Sequence, residues 1–219
     1  MVTIRKTFNK MVPFLLMAGI SLGALFCKMS PIVGSYSACF SLSDVIMPLS
    51  GAFSLWLSLG IALVRSGLTF WHVLSPVKAL VYHIPGFAAS IAWARPSWVL
   101  RIVLPAVCMV LFIVHPIGRY AIPYTFYWLI PMIIHCIAKR SVFTDALAST
   151  FVAHAVGSVI WLYVKAIPVV VWWNLLPIVA VERLFNALAM TVVYYAVLSI
   201  SQYGRCIFTR NTSQIVHVK

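Results

Sequence analysis

The chain has 219 residues, of which 63% are hydrophobic and only 9% are charged, and its mean hydropathy is +1.03. Ordinary globular chains carry about 25% charged residues and bury only part of their apolar surface, so this composition excludes a soluble single-core domain. The net charge of +13 comes from basic residues dispersed between apolar segments, which favours anchors beside an anionic membrane over a nucleic-acid surface. We predict a single integral membrane domain over residues 1–219.

The first predicted element is the apolar run Met11–Phe26, which follows three basic residues. Such a run is compatible with the core of a signal peptide. However, no small-x-small cleavage site follows it, and Phe26 stands where a lipoprotein box needs a small residue. We therefore predict an uncleaved first helix and keep a cleaved signal peptide as the alternative.

Further apolar runs predict an all-α polytopic transmembrane helix bundle of about six spans, because a helix satisfies its own backbone in lipid. The five runs are Val45–Val64, Ser97–Val114, Tyr120–Ala138, Thr144–Val164 and Val181–Ser201. With a cytoplasmic N-terminus, twelve basic residues fall inside and four outside, which agrees with the positive-inside rule. The four outer ones are Lys28, Arg119, Lys165 and Arg183. We expect a bacterial cytoplasmic membrane protein with both termini in the cytoplasm.

Two stretches are apolar but broken by proline. Gly67–Ala94 contains two prolines and Gly86, which disfavour an uninterrupted span. We expect a re-entrant or interfacial piece at 82–90. A seventh span over Ala79–Ala94, which would invert the C-terminal half, is the alternative. The paired tryptophans within Ala166–Pro177 predict a second interfacial piece.

The unusual polar residues gather near the outer face of this arrangement. They are Asp44, His115, Arg119, Asn174, Glu182, Arg183 and Asn186. Charges at membrane depth are costly, so they tend to be paired or functional. Adjacent helical residues do not face each other, so we expect Glu182 to pair with Arg119 and Arg183 to pair with Asp44. The group is a candidate ligand-binding site, and structural ion pairs or interface anchors are the alternative for each residue.

Aromatic residues accompany this group, and one histidine lies apart from it within a span. A cavity lined by some of the aromatic residues would suit a small amphipathic ligand, whereas an interfacial belt is the alternative. These aromatic residues are Tyr120, Tyr124, Tyr127, Trp128, Trp172 and Trp173. His154 lies mid-span, where a hydrogen-bonded core histidine is favoured over a proton relay or ligand contact. Asp145 begins the fifth helix, where its carboxylate would cap the helix dipole.

Small residues recur every four positions in two of the predicted helices. Ser149, Ala153 and Gly157 lie on one face of the fifth helix, and Gly19 and Gly23 lie on one face of the first. This spacing lets helices approach closely. We expect internal packing, with a docking face for a partner membrane protein as the alternative.

Motifs for catalysis are missing from the sequence. It has no phosphate-binding loop of the GxxxxGK[ST] type, no HExxH pattern and no locally paired acidic residues. We therefore expect no enzyme activity, no catalytic residue, no metal site and no cofactor. An intramembrane enzyme using His115 or His154 is the least supported alternative, because no nucleophile accompanies either histidine.

The layout of the chain resembles the substrate-binding membrane subunit of energy-coupling factor transporters. The resemblance rests on a basic chain of this length with six spans and both ends inside, and on SDVIMPLSGAF (43–53) at the start of the second helix. It implies uptake of a vitamin-like solute or metal ion, with ATP hydrolysis supplied by a separate ATPase. It also implies that Gly19 and Gly23, in place of that family's alanine pair, dock a partner membrane subunit.

Two functions follow as expectations. The first is a solute-binding transport subunit with an outward cavity near Asp44, Arg119, Glu182 and Arg183. Its partners would be the lipid bilayer, other membrane subunits, a separate ATPase and a small-molecule solute, but not nucleic acid. The alternative is a non-catalytic membrane assembly protein that uses its small-residue faces to bind other helices, with its charged residues purely structural.

Overall fold

The computed structural model describes residues 2–24, 28–31, 39–73, 81–137, 139–165 and 167–216. It describes the side chains of 11–21, 23–24, 45–71, 81–137, 139–165 and 167–204. Within these ranges the chain is mostly helical, and its strands form one short antiparallel hairpin. The hairpin pairs β1 (Lys28–Pro31) with β2 (Cys39–Ser41). The predicted all-α character is therefore confirmed for most of the described chain.

Helices make up most of the described chain. They are α1 (Val2–Ala24), α2 (Leu42–Phe53), α3 (Leu55–Val73), α4 (Ile84–Ala94), α5 (Leu104–Val114), α6 (Leu129–Ile137), α7 (Val142–Val164) and α8 (Val169–Val216). A π-helical turn, Val99–Val103, leads directly into α5. Two 3-10 segments, Gly118–Tyr120 and Ile122–Trp128, join α5 to α6.

Two of the described helices are long and apolar enough to cross a membrane. They are α7, with mean hydropathy 1.6, and the Val169–Gly204 part of α8, with mean hydropathy 1.7. Other predicted spans occur as shorter apolar helices at Met11–Ser21, Leu55–Trp71, Val99–Val114 and Ile122–Ile137. The two long helices are compatible with a membrane location, and the count of six spans stays a prediction carried by composition and charge.

The predicted span Val45–Val64 is not one uninterrupted helix, because Ser54 divides it between α2 and α3. The side-chain oxygens of Ser50 and Ser58 lie 2.7 Å apart, whereas eight residues of straight helix would separate them by about 12 Å. Ser54 accepts a hydrogen bond on its hydroxyl from the backbone of Leu57. Serine hydroxyls that compete for backbone groups are a known cause of helix bends.

The prediction of a separate interfacial piece at Ala166–Pro177 is wrong. Val169 begins α8, and the predicted sixth span, Val181–Ser201, is the middle of this one helix. Pro177 lies inside it. Proline removes only one backbone donor, and membrane-type helices tolerate this where neighbouring helices pack against them.

The segment predicted to be re-entrant forms the short helix α4. A turn at Tyr82 and His83 precedes it, so residues 81–94 are not one continuous helix. Its 11 residues span roughly 16 Å, about half of the hydrocarbon thickness of a bilayer. Ala89, Ser90 and Ala92 are fully buried, which makes α4 a core element.

Small side chains hold α4 between α2 and α7. Ser90 donates a hydrogen bond to the carbonyl of Met47 at 2.6 Å, and Ser149 donates one to the carbonyl of Ala89 at 3.1 Å. A Cβ atom on Gly51 would lie 2.1 Å from the carbonyl oxygen of Ser90. Ser149 therefore lies at a tight internal interface, as the four-residue spacing of small residues predicts.

The remaining small residues differ in their surroundings. Gly157 is buried, and a Cβ atom placed there would contact Pro85 at 3.5 Å, while Ala153 is half-buried. Gly19 and Gly23 are exposed, and a Cβ atom at either would meet nothing within 4 Å. Internal packing thus accounts for Gly157 but not for the two glycines of α1.

Candidate functional site

An aromatic cluster surrounds His154 in the middle of α7. The His154 cluster consists of Phe112, Tyr124, Trp128, Phe151, His154 and Trp172. The ring of Tyr124 lies 5.1 Å from that of His154 and 5.0 Å from that of Trp172. The sequence predicts an aromatic cavity or a belt here, and the structure brings Tyr124, Trp128 and Trp172 together in the interior.

Three ring nitrogens in this cluster are buried without a hydrogen-bond partner among the described residues. They are Nε2 of His154, Nε1 of Trp128 and Nε1 of Trp172. The rings of Trp128 and Trp172 stand edge-on to Phe112, and contacts of that kind replace a hydrogen bond only weakly. Since buried polar groups are normally paired, three orphaned nitrogens in one cluster distinguish it from ordinary core packing. His154 is a core histidine as predicted, but its Nε2 lacks the expected hydrogen bond among the described residues.

Glu182 and Arg183 form an ion pair inside α8. The guanidinium of Arg183 donates to the carboxylate of Glu182, and the two side chains are 15% and 14% exposed. Arg183 also donates to the hydroxyl of Thr150 in α7 at 3.2 Å. The predicted pairing of Glu182 with Arg119 is therefore wrong, because the long side chain of Arg183 folds back onto the adjacent Glu182.

The depth of this pair also differs from the prediction. Glu182 lies thirteen residues after the start of α8 at Val169, which corresponds to about 20 Å along the helix. The pair is therefore far inside α8, whereas the sequence suggested the start of a helix at the outer boundary. Thr150 precedes His154 by four residues on α7, so both lie on one helix face. Arg183 consequently reaches the face that carries the His154 cluster.

His115 and Arg119, in the segment HPIGR (115–119), lie away from the Glu182–Arg183 pair along the helices. His115 accepts a hydrogen bond from the backbone of Ile117, and its ring packs edge-on against Tyr163 near the end of α7. Arg119 is exposed and lies over the ring of Tyr120, 5.0 Å from its centre. We call the end of the molecule that carries His115, Arg119, Tyr120 and Tyr163 the aromatic end. The structure therefore separates His115 and Arg119 from the Glu182–Arg183 pair.

The other predicted site residues are dispersed. Asn186 is buried one turn after Glu182, and Asn174 is exposed near the start of α8. Asp44 belongs to α2, but its side chain lies outside the described part of the chain. The expected pairing of Asp44 with Arg183 therefore stays a prediction. Thr150 was not predicted as a site residue from the sequence, although its spacing of four residues from His154 indicates that the two share a helix face.

Asp145 fulfils only part of its predicted role. The N-cap of α7 is Ser141, which forms a capping box with Thr144. The carboxylate of Asp145 instead accepts hydrogen bonds from Arg101 at 2.7 Å and from Arg140 at 2.8 Å. The prediction that Asp145 is the cap is wrong, because Ser141 supplies the cap and leaves the carboxylate to the two guanidinium groups. Asp145 does lie in the first turn of α7, where a carboxylate complements the helix dipole as predicted.

Comparisons with protein-family models, with curated proteins and with solved structures return no match to this chain. The described residues also contain no group of three histidine, cysteine or acidic side chains arranged for a metal ion. The candidate site is therefore defined by Arg183, Glu182, Thr150 and the His154 cluster.

Proposed function

We propose that the chain is a multi-pass membrane protein of about six spans that binds a small solute between α7 and α8. In this proposal it is the solute-binding subunit of an uptake transporter, and a separate ATPase supplies the energy. The observation that carries the proposal is the Glu182–Arg183 pair deep inside α8, held against Thr150 of α7. Ionisable groups in the interior of an apolar helix are costly and are typical of substrate pathways.

The surroundings of the pair support a solute with both polar and apolar parts. Glu182 and Arg183 can supply a carboxylate and a guanidinium, and the orphaned ring nitrogens of the His154 cluster can supply further hydrogen bonds. The packed aromatic rings offer flat apolar surface. Small-molecule sites commonly combine such an apolar lining with a few fixed polar groups. The proposal thus favours a small aromatic or vitamin-like solute over a metal ion.

A second candidate function is the membrane assembly protein. It is favoured by Gly19 and Gly23, which present an open face on α1. In that case the Glu182–Arg183 pair would be purely structural. The two candidates differ in one property, since only the transport subunit has a saturable affinity for a solute.

The test is a binding screen on the protein purified in detergent. Melting temperature is measured against vitamins, nucleobases, aromatic metabolites and metal ions, and hits are titrated by intrinsic tryptophan fluorescence. A solute that binds only the folded protein stabilises it by about 2.7 kcal/mol at 100 times its Kd. We expect an aromatic solute among the hits, and we expect Arg183→Gln to weaken its binding at least tenfold.

A matched pair of threonine variants separates binding from stability. Thr150→Val removes the hydroxyl that accepts from Arg183, whereas Thr191→Val removes one that donates only within α8, to the carbonyl of Ala187. Both changes keep the side-chain volume. Solute affinity should fall for Thr150→Val and stay unchanged for Thr191→Val. Absence of any solute response in the folded wild-type protein would reject the transport subunit in favour of the assembly protein.

A further inference from the structure

Four helix ends meet at the end of the molecule opposite to His115 and Arg119. They are the end of α4, the start of the helical segment 98–114, the end of α6 and the start of α7. Arg101 joins them, because its guanidinium donates to the carbonyl of Ala92 at 3.3 Å and to Asp145 at 2.7 Å. We call this region the basic end. It lies about 25 Å from the aromatic end along the 17 residues of 98–114.

The basic end carries more positive than negative charge. Its basic residues are Arg95, Arg101, Lys139 and Arg140, and Asp145 is the one acidic side chain that the described chain places there. A single carboxylate shared by two guanidinium groups neutralises only one of them. The basic end therefore retains a net positive charge, which attracts an anion.

Arg101 and Arg140 differ in how accessible they are. The side chain of Arg101 is 1% exposed, and its Nε has no hydrogen-bond partner among the described residues. The side chain of Arg140 is 57% exposed, and it uses Nε and one terminal nitrogen on Asp145. Because a guanidinium has five N–H donors, Arg140 keeps donors facing outward. The buried Arg101 thus holds the Asp145 carboxylate, and this carboxylate orients the accessible Arg140.

Neighbouring residues place this region at the level of a membrane surface. Trp98 is exposed just before Arg101, and exposed tryptophans are typical of the headgroup layer. Arg101 itself belongs to the π-helical turn Val99–Val103, a distortion often found at functional sites. Basic pockets between helices on the cytoplasmic side of membrane proteins bind anionic headgroups. Charge, exposure and position along the helices all agree with such a ligand.

We propose that the basic end binds a phosphate-bearing anion, supplied by the headgroup of an anionic phospholipid. Arg140 and Lys139 contact the phosphate, while Arg101 and Asp145 hold Arg140 in position. The proposal rests on the membrane placement argued above, but it does not depend on the solute site near Arg183. The two sites lie at different depths of the molecule, so one can fail without the other.

The experiment counts bound lipids and measures melting temperature for the purified full chain in nonionic detergent. Phosphatidylglycerol is titrated against phosphatidylcholine with the same acyl chains, and inorganic phosphate forms a third arm. The variants are Arg140→Gln and Lys139→Gln, with Lys165→Gln as a matched lysine control at the aromatic end. Lys165 is exposed, lies over the ring of Trp161, and is at the end of α7 opposite to Lys139 and Arg140.

We expect phosphatidylglycerol to bind and to raise the melting temperature, and phosphatidylcholine and inorganic phosphate to have little effect. Arg140→Gln and Lys139→Gln should each weaken the lipid about fivefold, and Lys165→Gln should leave it unchanged. An equal response to inorganic phosphate would overturn the lipid as the source of the anion. Equal responses to both lipids, or full binding by Arg140→Gln, would overturn the site itself. If the lipid binds but no solute binds in the separate solute screen, only the proposed transport function is rejected.

Discussion

At the scale of single residues, the Asp145 carboxylate forms two ion pairs whose contributions to stability depend on how deeply each partner is buried. It holds Arg101, which is almost fully buried, and Arg140, which is largely exposed. Removing one member of a buried ion pair leaves an uncompensated charge, which typically costs about 3–5 kcal/mol. An exposed ion pair contributes only about 0–1 kcal/mol. The two halves of the same triad should therefore respond very differently to substitution.

We expect Asp145→Asn to lower the melting temperature strongly, because the Arg101 guanidinium then stays buried without a counter-charge. Arg140→Gln should change it little in detergent that lacks anionic lipid. The measurement is thermal unfolding of both variants beside the wild type. Equal losses for the two variants would mean that leaving Arg101 buried without its counter-charge adds no cost, against the argument from burial.

The Glu182–Arg183 pair shows where local sequence rules stop being sufficient. The sequence identifies them as unusual, because they interrupt an apolar run, but it misplaces their depth and their partners. Helix geometry places adjacent side chains on different faces, and the reach of an arginine side chain outweighs that rule here. Thr150 and Arg183 are 33 positions apart, so no local pattern could have joined them.

At the scale of elements, close contact between α2 and α4 depends on glycine. A Cβ atom on Gly51 would lie 2.1 Å from the backbone carbonyl oxygen of Ser90, which no flexible side chain can relieve. A Cβ atom on Gly86 would lie 2.8 Å from a side-chain atom of Met47, which can move. The two helices can therefore pack at this distance only while position 51 has no side chain.

We expect Gly51→Ala to destabilise the protein by at least the roughly 1–3 kcal/mol typical of overpacked cores. Gly19→Ala is the control, since an added methyl group there meets nothing within 4 Å and alanine has the higher helix propensity. It should leave stability unchanged or raise it by up to about 1 kcal/mol. Thermal or denaturant unfolding of both variants decides the matter, and a Gly51→Ala protein as stable as Gly19→Ala would contradict the tight α2–α4 contact.

The helices also show which features a sequence can specify. The predicted span Thr144–Val164 differs from α7 by only two residues at its start, because an apolar run between a serine cap and a lysine fixes both ends locally. The bend at Ser54 was missed, because it depends on hydroxyl contacts between residues eight positions apart. The extension of α8 back to Val169 was missed, because proline and paired tryptophans suggested an interruption that packing overrides.

At the scale of the whole molecule, composition predicts a helical membrane protein, whereas the candidate site depends on contacts between distant residues. Arg101 and Asp145 are 44 positions apart, and Tyr124 and Ser158, which share a hydrogen bond, are 34 apart. Hydrophobic periodicity identifies which segments are helices but not which faces meet. The residue types of the site were therefore predictable in part, and their grouping around His154 was not.

The two ends of α7 provide a direct test of membrane placement. The helix has 23 residues, or about 34 Å, which exceeds the roughly 30 Å hydrocarbon core of a bilayer. Lys139 and Lys165 lie just beyond its two ends and are both exposed. The positive-inside rule predicts that the basic end, and therefore Lys139, lies on the cytoplasmic side.

We expect Lys165→Cys to react with an impermeant maleimide added to intact cells, and Lys139→Cys to react only after permeabilisation. Both are made in a background where the five native cysteines are replaced by serine. The reverse pattern would invert the topology and put the basic end outside, against the positive-inside rule. Reaction of both cysteines in intact cells would mean that α7 does not cross the membrane, so the depth of the Glu182–Arg183 pair would no longer support a transport site.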